Sequence, residues 1–430
     1  MNASGLDRRR FLALGSLGAA AVAGRPAFGG RPAFAGPPAG VSPAAGSASS
    51  PEVAAQATSP HAGAGVEPGA GPVRMTGDGL GLTPAETAAL WAELAADGRI
   101  ERDSYSNGGA VAALEAHFAE VLGKERAVFL PTGTLANHLA VRTLAGGTGR
   151  AIVQAESHLF NDSGDCVQTL SGITLMPLGP DRAGFRLDEV QEVIARTAGG
   201  RVSRPVSVIS IETPVRRRYG ETFDQGELDR ITAFARREGI GLHLDGARIF
   251  LQSAATGRSV ADYARPFDTV YVSLYKYFNS VSGAVLAGPG ALLDELFHVR
   301  RMFGAGLPGA WPFAALARHY APGFTGRFRQ ALAVSEAFIE RLGRHRAFEV
   351  ERIPAGTNLF RLRVAQADGA AFRARLGRRG IHLGAPRGFR RGGPEGGGPD
   401  RARFLVAVNE TWNRTSGDAL ADTFIGALRA

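Results

Sequence analysis

The sequence predicts an α/β fold, with a large domain built on a mainly parallel sheet and a smaller C-terminal α+β domain. Three observations lead there. From Val73 onward, strand-like and helix-like patterns alternate, as they do where parallel strands are joined by crossover helices. With 430 residues and 44% hydrophobic content, the chain is long enough to bury such a core. After about Leu316 the order changes to helix, strand, helix and strand.

The elements are taken in chain order. Asp7-Arg8-Arg9-Arg10-Phe11-Leu12 precedes an apolar stretch, Ala13 to Ala23, that is too short to span a bilayer. Arg-Arg-x-Phe-Leu before a Gly- and Ala-rich segment resembles a twin-arginine export signal, and Ala33-Phe34-Ala35 has the small-x-small pattern of a cleavage site. The Gly-Arg-Pro-Ala-Phe repeat at Gly24 and Gly30 offers more than one place to cut. Residues 1–35 are therefore expected to be a signal peptide with no stable membrane anchor. The export machinery would be its transient partner and the periplasm or exterior its destination. Residues 36–72 are Ala, Gly, Pro and Ser with almost no large apolar side chains. Such a composition cannot offset its ordering entropy and predicts a disordered tether.

Within the large domain, expected over 73–315, six runs read as buried strands. They are Val128 to Leu130, Ala151 to Val153, Val206 to Ile211, Gly241 to Leu244, Thr269 to Ser273, and Ala284 to Leu286. Helical stretches separate them at about Leu135 to Leu144, Leu187 to Arg196 and Gly226 to Arg237. In the small domain, 316–430, Arg327 to Leu342 and Ala370 to Arg379 read as helices, and Asn358 to Val364 and Phe404 to Val408 as strands. Between the last two elements, Arg387 to Arg401 is rich in Gly, Pro and Arg and reads as a loop.

Composition excludes several function classes. The net charge of +9 invites a nucleic-acid reading. Five arginines and one aspartate lie within the first 35 residues, however, and the remainder forms no sustained basic stripe. No nucleic-acid partner is expected. A single cysteine, Cys166, rules out an intramolecular disulfide and reads as a small hydrophobe. No metal site is expected.

Lysine carries the most information. Of 49 basic residues only Lys124 and Lys276 are lysines. Arginine can replace lysine as a solvated cation, but it stays protonated and cannot become the neutral amine that attacks a carbonyl. Lys276 therefore reads as a reactive amine, and Lys124 as a residue at a solvated helix end.

Ligands in open α/β sheets sit beyond the carboxyl ends of strands, and three strand ends here carry suggestive groups. Pro131-Thr132-Gly133-Thr134-Leu135-Ala136-Asn137 leads into a helix and leaves free N–H groups at a small-residue turn, either a phosphate cradle or an ordinary cap. Asp245-Gly246-Ala247-Arg248 places a carboxylate and a guanidinium three residues apart. That pair either keeps a pyridine nitrogen protonated or caps a helix. Ser273-Leu274-Tyr275-Lys276 sets the lysine after a buried strand and between tyrosines, where burial would depress its pKa towards a Schiff-base-forming amine.

In this order the three segments, together with Gly123-Lys124-Glu125, resemble fold-type I pyridoxal 5'-phosphate (PLP) enzymes of the threonine aldolase and β-eliminating lyase branch, from about Met75 to the C-terminus. The resemblance implies that Lys276 holds PLP covalently, His158 stacks on its ring and Asp245 pairs with its nitrogen. Arg248 would reach the cofactor oxygen or the substrate carboxylate. Gly133, Thr134 and Ser273 would hold the phosphate, with Thr132 and Thr213 also against the cofactor. It further implies an amino-acid substrate and a homodimer or homotetramer, with Tyr105 contributed to a neighbouring subunit's site or packed as an ordinary core aromatic.

The substrate side departs from the family pattern. Glu212-Thr213-Pro214-Val215 stands where the family has Glu-Asn-Thr-His, Gly77-Asp78 where it has Ser-Asp, and Leu307-Pro308-Gly309 where it has Met-Arg-Gln. A second carboxylate-binding arginine has no clear counterpart around Phe404 to Asn409. The Arg216 to Arg218 run either binds an acidic substrate or forms a solvated loop or subunit contact. Gly304 to Gly309 fits Gly-x-Gly-x-x-Gly but follows a helix and contains Pro308, so no dinucleotide site is expected. The expected reaction is Cα–Cβ cleavage of a β-hydroxy amino acid to glycine and an aldehyde, with a bulky or aromatic side chain suited to an apolar Val215. β-Elimination is the next reading, with racemisation or transamination behind it, and a non-catalytic exported PLP or amino-acid binder is the competing class.

Overall fold

The computed structural model describes residues 71–146, 149–365, 367–386 and 401–428. The expected signal peptide, the tether up to residue 70 and the Gly-rich stretch 387–400 lie outside the described residues.

Twelve strands are described: β1 Val73–Arg74, β2 Arg126–Leu130, β3 Arg150–Gln154, β4 Thr174–Leu178, β5 Val206–Glu212, β6 Gly241–Asp245, β7 Thr269–Ser273, β8 Ala284–Gly288, β9 Phe348–Arg352, β10 Leu359–Ala365, β11 Ile381–His382 and β12 Arg401–Ala407. Seven of them form the central sheet in the order β2-β8-β7-β6-β5-β3-β4. β8 pairs antiparallel with both β2 and β7, while the other pairs are parallel. The carboxyl ends of β2, β3, β5, β6 and β7 therefore share one edge of the sheet.

The six expected strands are present. β4 is the seventh, absent from the sequence reading because it is a half-exposed edge strand interrupted by Pro177. Its periodicity is too weak to separate from a loop. β7 and β8 are buried at every position, as strands covered on both faces must be. The largest hydrophobic cluster, with Phe118, Phe129, Ile209, Leu244, Val272 and Phe278, packs against the sheet with its helices. The Gly133–Leu144 helix contributes Ala136, Leu139 and Ala140 to a second cluster with Leu130, Tyr271 and Leu286. Its first turn thereby stands at the carboxyl edge.

A three-stranded antiparallel sheet, β12-β10-β9, packs with the Phe324–Gly343 helix and helix Gly417–Gly426 around Phe338, Phe360, Phe404 and Trp412. Val73 and Met75 bury themselves in this C-terminal cluster and not in the large one with which they were grouped, because β1 pairs in parallel with β11. The Phe324–Gly343 helix begins in the large cluster with Phe324 and Phe328 and ends in the small one with Phe338 and Leu342. Among the described residues no helix is long and apolar enough to cross a membrane.

Candidate active site

A cavity of about 330 Å³ opens at the carboxyl edge of the sheet, within the usual range for small-ligand pockets. Thr132, Gly133 and Thr134 line it from the turn after β2, His158 from beyond β3, and Glu212 and Arg216 from the end of β5. Asp245 ends β6 and Arg248 follows it, and Tyr271, Tyr275 and Lys276 come from β7 and its exit. Of the residues expected at the site, Lys276, His158, Asp245, Arg248, Thr132, Gly133 and Thr134 are brought together.

Lys276 is partly buried, with its Nζ 6.0 Å from the centroid of the Tyr271 ring and 5.7 Å from that of Tyr275. Burial, reinforced by the Arg248 guanidinium, pushes its pKa down to about 8. A substantial neutral fraction is then present near neutral pH. Lys124, expected at a solvated helix end, instead turns inward after the Gly109–Leu122 helix and donates to the Phe267 carbonyl at 2.5 Å.

Asp245 is held by a directional chain. Asn137 Nδ2 donates to Asp245 Oδ2 at 2.6 Å, and the Ala247 amide donates to Oδ1 at 3.1 Å. Asn137 Oδ1 can only accept, so His243 Nε2, 2.9 Å away, must donate to it. Burial lowers the His243 pKa to about 4, so the ring is neutral, and its Nδ1 accepts from the Thr269 hydroxyl at 2.9 Å. The chain aims a second-sphere donor at one oxygen of Asp245 and leaves the carboxylate facing the cavity.

Arg248 is tied from behind. Its Nε donates to Asp78 Oδ2 at 2.8 Å, and Asn358 Nδ2 donates to Asp78 Oδ1 at 3.2 Å. The segment around Asp78 is locked over the Lys276 turn, where Leu80 N donates to Asn279 Oδ1 at 2.8 Å. Gly79 must be glycine there, since a Cβ would come within 2.6 Å of the Lys276 carbonyl oxygen.

His158 opens a short helix capped by Ser157, whose hydroxyl accepts from Phe160 N. Its amide donates to Glu212 Oε2 at 2.6 Å, and the other oxygen of Glu212 accepts from the Arg216 amide at 2.9 Å. Burial, with the Asp245 carboxylate nearby, raises the Glu212 pKa to about 7. Burial also lowers the pKa of His158. Gln154 stitches β3 to β5 by accepting from Glu212 N at 2.9 Å and donating to the Glu212 carbonyl at 2.6 Å.

Two of the residues expected against the cofactor stand outside the cavity wall. Thr213 lies outside the cavity wall: its hydroxyl donates to Gln252 at 2.8 Å and accepts from Phe223 N at 3.1 Å, a strut behind the site. Ser273, the last residue of β7, is fully buried and does not line the cavity. Ser282 lines it instead, with its hydroxyl donating to the Pro131 carbonyl at 2.8 Å.

Val215 likewise does not face the cavity. It is completely buried and pairs with Glu221, so the next residue, Arg216, presents itself to the substrate space. Glu212, Asn137, His243 and Thr269 had no assigned role in the sequence reading, because their partners are far apart in the chain. Tyr105 is half exposed and outside the cavity wall, with the Arg301 guanidinium 5.0 Å from its ring centroid.

A lysine of lowered pKa, a buried carboxylate and a helix N-terminus stand together beyond one sheet edge, the arrangement of a fold-type I PLP site. The residues present fit that cofactor. Thr132 Oγ1 caps the Gly133–Leu144 helix by accepting from Leu135 N, which leaves the first amides of the helix for an anion. At Gly133 a Cβ would meet the Tyr271 hydroxyl at 1.9 Å, so only glycine permits this closure.

Residues 83–367 match the family described as Beta-eliminating lyase, and the chain belongs to it. It is 30% identical over 209 residues to a low-specificity L-threonine aldolase of Candida albicans, covering 48% of this chain and 55% of that protein. It is also 30% identical over 206 residues to the alanine racemase TOXG of Cochliobolus carbonum, covering 47% and 52%. The chain thus spans about half the length of the curated relatives it matches. A solved structure of a candidate L-allo-threonine aldolase from Listeria monocytogenes superposes with a TM-score of 0.67 at 26% identity, covering 83% of this chain and 95% of that one.

Proposed function

We propose that this protein is a PLP-dependent carbon–carbon lyase that cleaves the Cα–Cβ bond of a β-hydroxy amino acid to glycine and an aldehyde. The convergence of Lys276, Asp245 and Arg248 on one cavity supports the reading, as does the similarity to a threonine aldolase.

Bound PLP would supply an electron sink for whichever Cα bond breaks. The chain's own residues choose that bond and manage protons. Arg248, fixed from behind by Asp78, orients the substrate through its α-carboxylate. Asp245 would stand against the cofactor nitrogen and favour its protonated form, and His158, held at its amide by Glu212, would lie against the ring. Lys276 Nζ, with its pKa near 8, can both take and give a proton at neutral pH.

The two relatives at 30% identity are an aldolase and a racemase, so the reaction needs a direct assay. Purified holoenzyme is incubated with threonine, phenylserine, serine and alanine while glycine, aldehyde, pyruvate, ammonia and alanine inversion are followed. Aldehyde with glycine, lost in Lys276→Ala, is the expected result. Pyruvate and ammonia without glycine would replace this reading with β-elimination, and inversion of alanine alone with racemisation. A spectral shift without any product would mark a binder.

A homodimer or dimer of dimers accompanies this proposal, because sites of this fold type commonly borrow residues across a two-fold interface; Tyr105 and Met302 are exposed and available for such a contact. Light scattering showing a fully active monomer would remove it.

A further inference from the structure

Arg216 lines the cavity from the turn that follows β5. The three consecutive arginines are not equivalent. Arg217 is folded down, its Nη1 3.1 Å from Asp162 and its Nε 3.7 Å from Glu156, and Arg218 Nε is 3.3 Å from Glu221. Arg216 alone of the three lines the cavity. Its side chain is 58% exposed, and its nearest ion pair, with Asp162, is loose at 3.9 Å. Asp162 already has Arg217 as its closer partner, so Arg216 can turn to another anion without stranding a carboxylate.

Its backbone, by contrast, is fixed, because the Arg216 amide is held by Glu212 Oε1. A mobile planar cation on a fixed base suits bidentate capture of a carboxylate. The other guanidinium in the cavity, Arg248, is pinned through Nε by Asp78 and is assigned to the α-carboxylate that every amino acid carries. The cavity thus holds two guanidiniums, one following β5 and the other following β6.

We infer that the favoured substrate is a β-hydroxy amino acid with a second carboxylate on its side chain, which Arg216 binds. This rests on the lyase reading above and extends it. For 3-hydroxyaspartate the Cα–Cβ bond breaks, its electron pair remains with Cα and is protonated there, and the hydroxyl loses its proton as Cβ becomes an aldehyde carbon. The products are glycine and glyoxylate, with no oxidant or reductant required.

The test uses the holoenzyme and compares kcat/KM for 3-hydroxyaspartate with that for threonine, in wild type, Arg216→Gln and Arg216→Lys. Wild type is expected to favour 3-hydroxyaspartate, and Arg216→Gln to lower that preference about tenfold or more, with partial recovery in Arg216→Lys. A smaller change in the ratio overturns the inference, whether both substrates lose activity together, which assigns Arg216 to the α-carboxylate, or neither does. If no β-hydroxy amino acid is cleaved, the lyase reading fails by itself. Calorimetric titration of the holoenzyme with aspartate and alanine then decides: aspartate binding tighter than alanine, with the difference lost in Arg216→Gln, sustains the acidic subsite, and equal binding removes it.

Discussion

Glu212 holds His158 by its backbone, accepting from the His158 amide at 2.6 Å, while its second carboxylate oxygen holds the Arg216 amide at 2.9 Å. One buried side chain therefore holds the backbone of two cavity-lining residues, His158 and Arg216. A glutamine has only one accepting oxygen and turns an N–H donor towards the other amide. Glu212→Gln is expected to lower kcat/KM about 10–100-fold, with effects on both kcat and KM, since small misplacements of positioned groups cost rates of that order. Wild-type kinetics in a folded Glu212→Gln holoenzyme would show that the clamp does not position the site.

The reactive amine is the most direct prediction. PLP-loaded protein is expected to absorb in the visible, to lose that band on borohydride treatment, and to yield a cofactor-modified peptide containing Lys276. Modification at Lys124, or failure to take up PLP when it is supplied, would refute the assignment.

Asn137 links His243 to Asp245 across more than one hundred residues of sequence. Asn137→Ala removes a donor from a buried carboxylate and an acceptor from a buried imidazole, at a cost of about 1–3 kcal/mol in stability. Urea denaturation measures that loss. The visible spectrum of the holoenzyme should also change its pH dependence, because Asp245 loses the partner that orients it. A spectrum titrating as in wild type would confine Asn137 to a structural role.

Glu115 offers a pH test away from the site. Its Oε1 accepts from Phe129 N at 2.7 Å, and burial raises its pKa from 4.5 to about 7. The folded state therefore holds a proton that the unfolded state has released between these values, and stability attached to this group is lost as pH rises through that window. Glu115→Gln keeps an acceptor and cannot ionise. Its Tm relative to wild type is expected to rise by about 1–3 °C between pH 4.5 and pH 7.5. His243 and His138, both lowered to about 4, act in the opposite direction in both proteins and cancel in the difference. A pH-independent difference would contradict the buried protonation.

Export is proposed on the N-terminal pattern alone. Replacing Arg8, Arg9 and Arg10 with lysine is expected to retain the protein in the cytoplasm, read by fractionation and immunoblotting. Undiminished export would point to another route.

The six central strands with the strongest patterns were legible because each is a short, β-branched or apolar run that is mostly buried. Lys276 was legible because a chain that otherwise uses arginine keeps so few lysines. Asp245 and Arg248 were legible as two polar residues directly after such a strand. β4 was not, since an edge strand with Pro177 and half-exposed side chains lacks the pattern. The expectation for Val215 failed for a local reason: Val215 pairs with Glu221 and is buried, and one residue of register exchanges an apolar wall for a cation.

The sequence by itself determined the fold class, the family and the chemistry available to the cofactor side of the site, because those depend on residue type at the ends of strongly patterned strands. Only the tertiary structure decided which side chains actually meet. It joined β1 to β11, placed Asp78 behind Arg248, ran the hydrogen-bond chain from Thr269 to Asp245, and put Arg216 rather than Val215 at the cavity. Each of these depends on the path the backbone takes between elements distant in sequence, and on which buried polar groups must find partners once water is excluded.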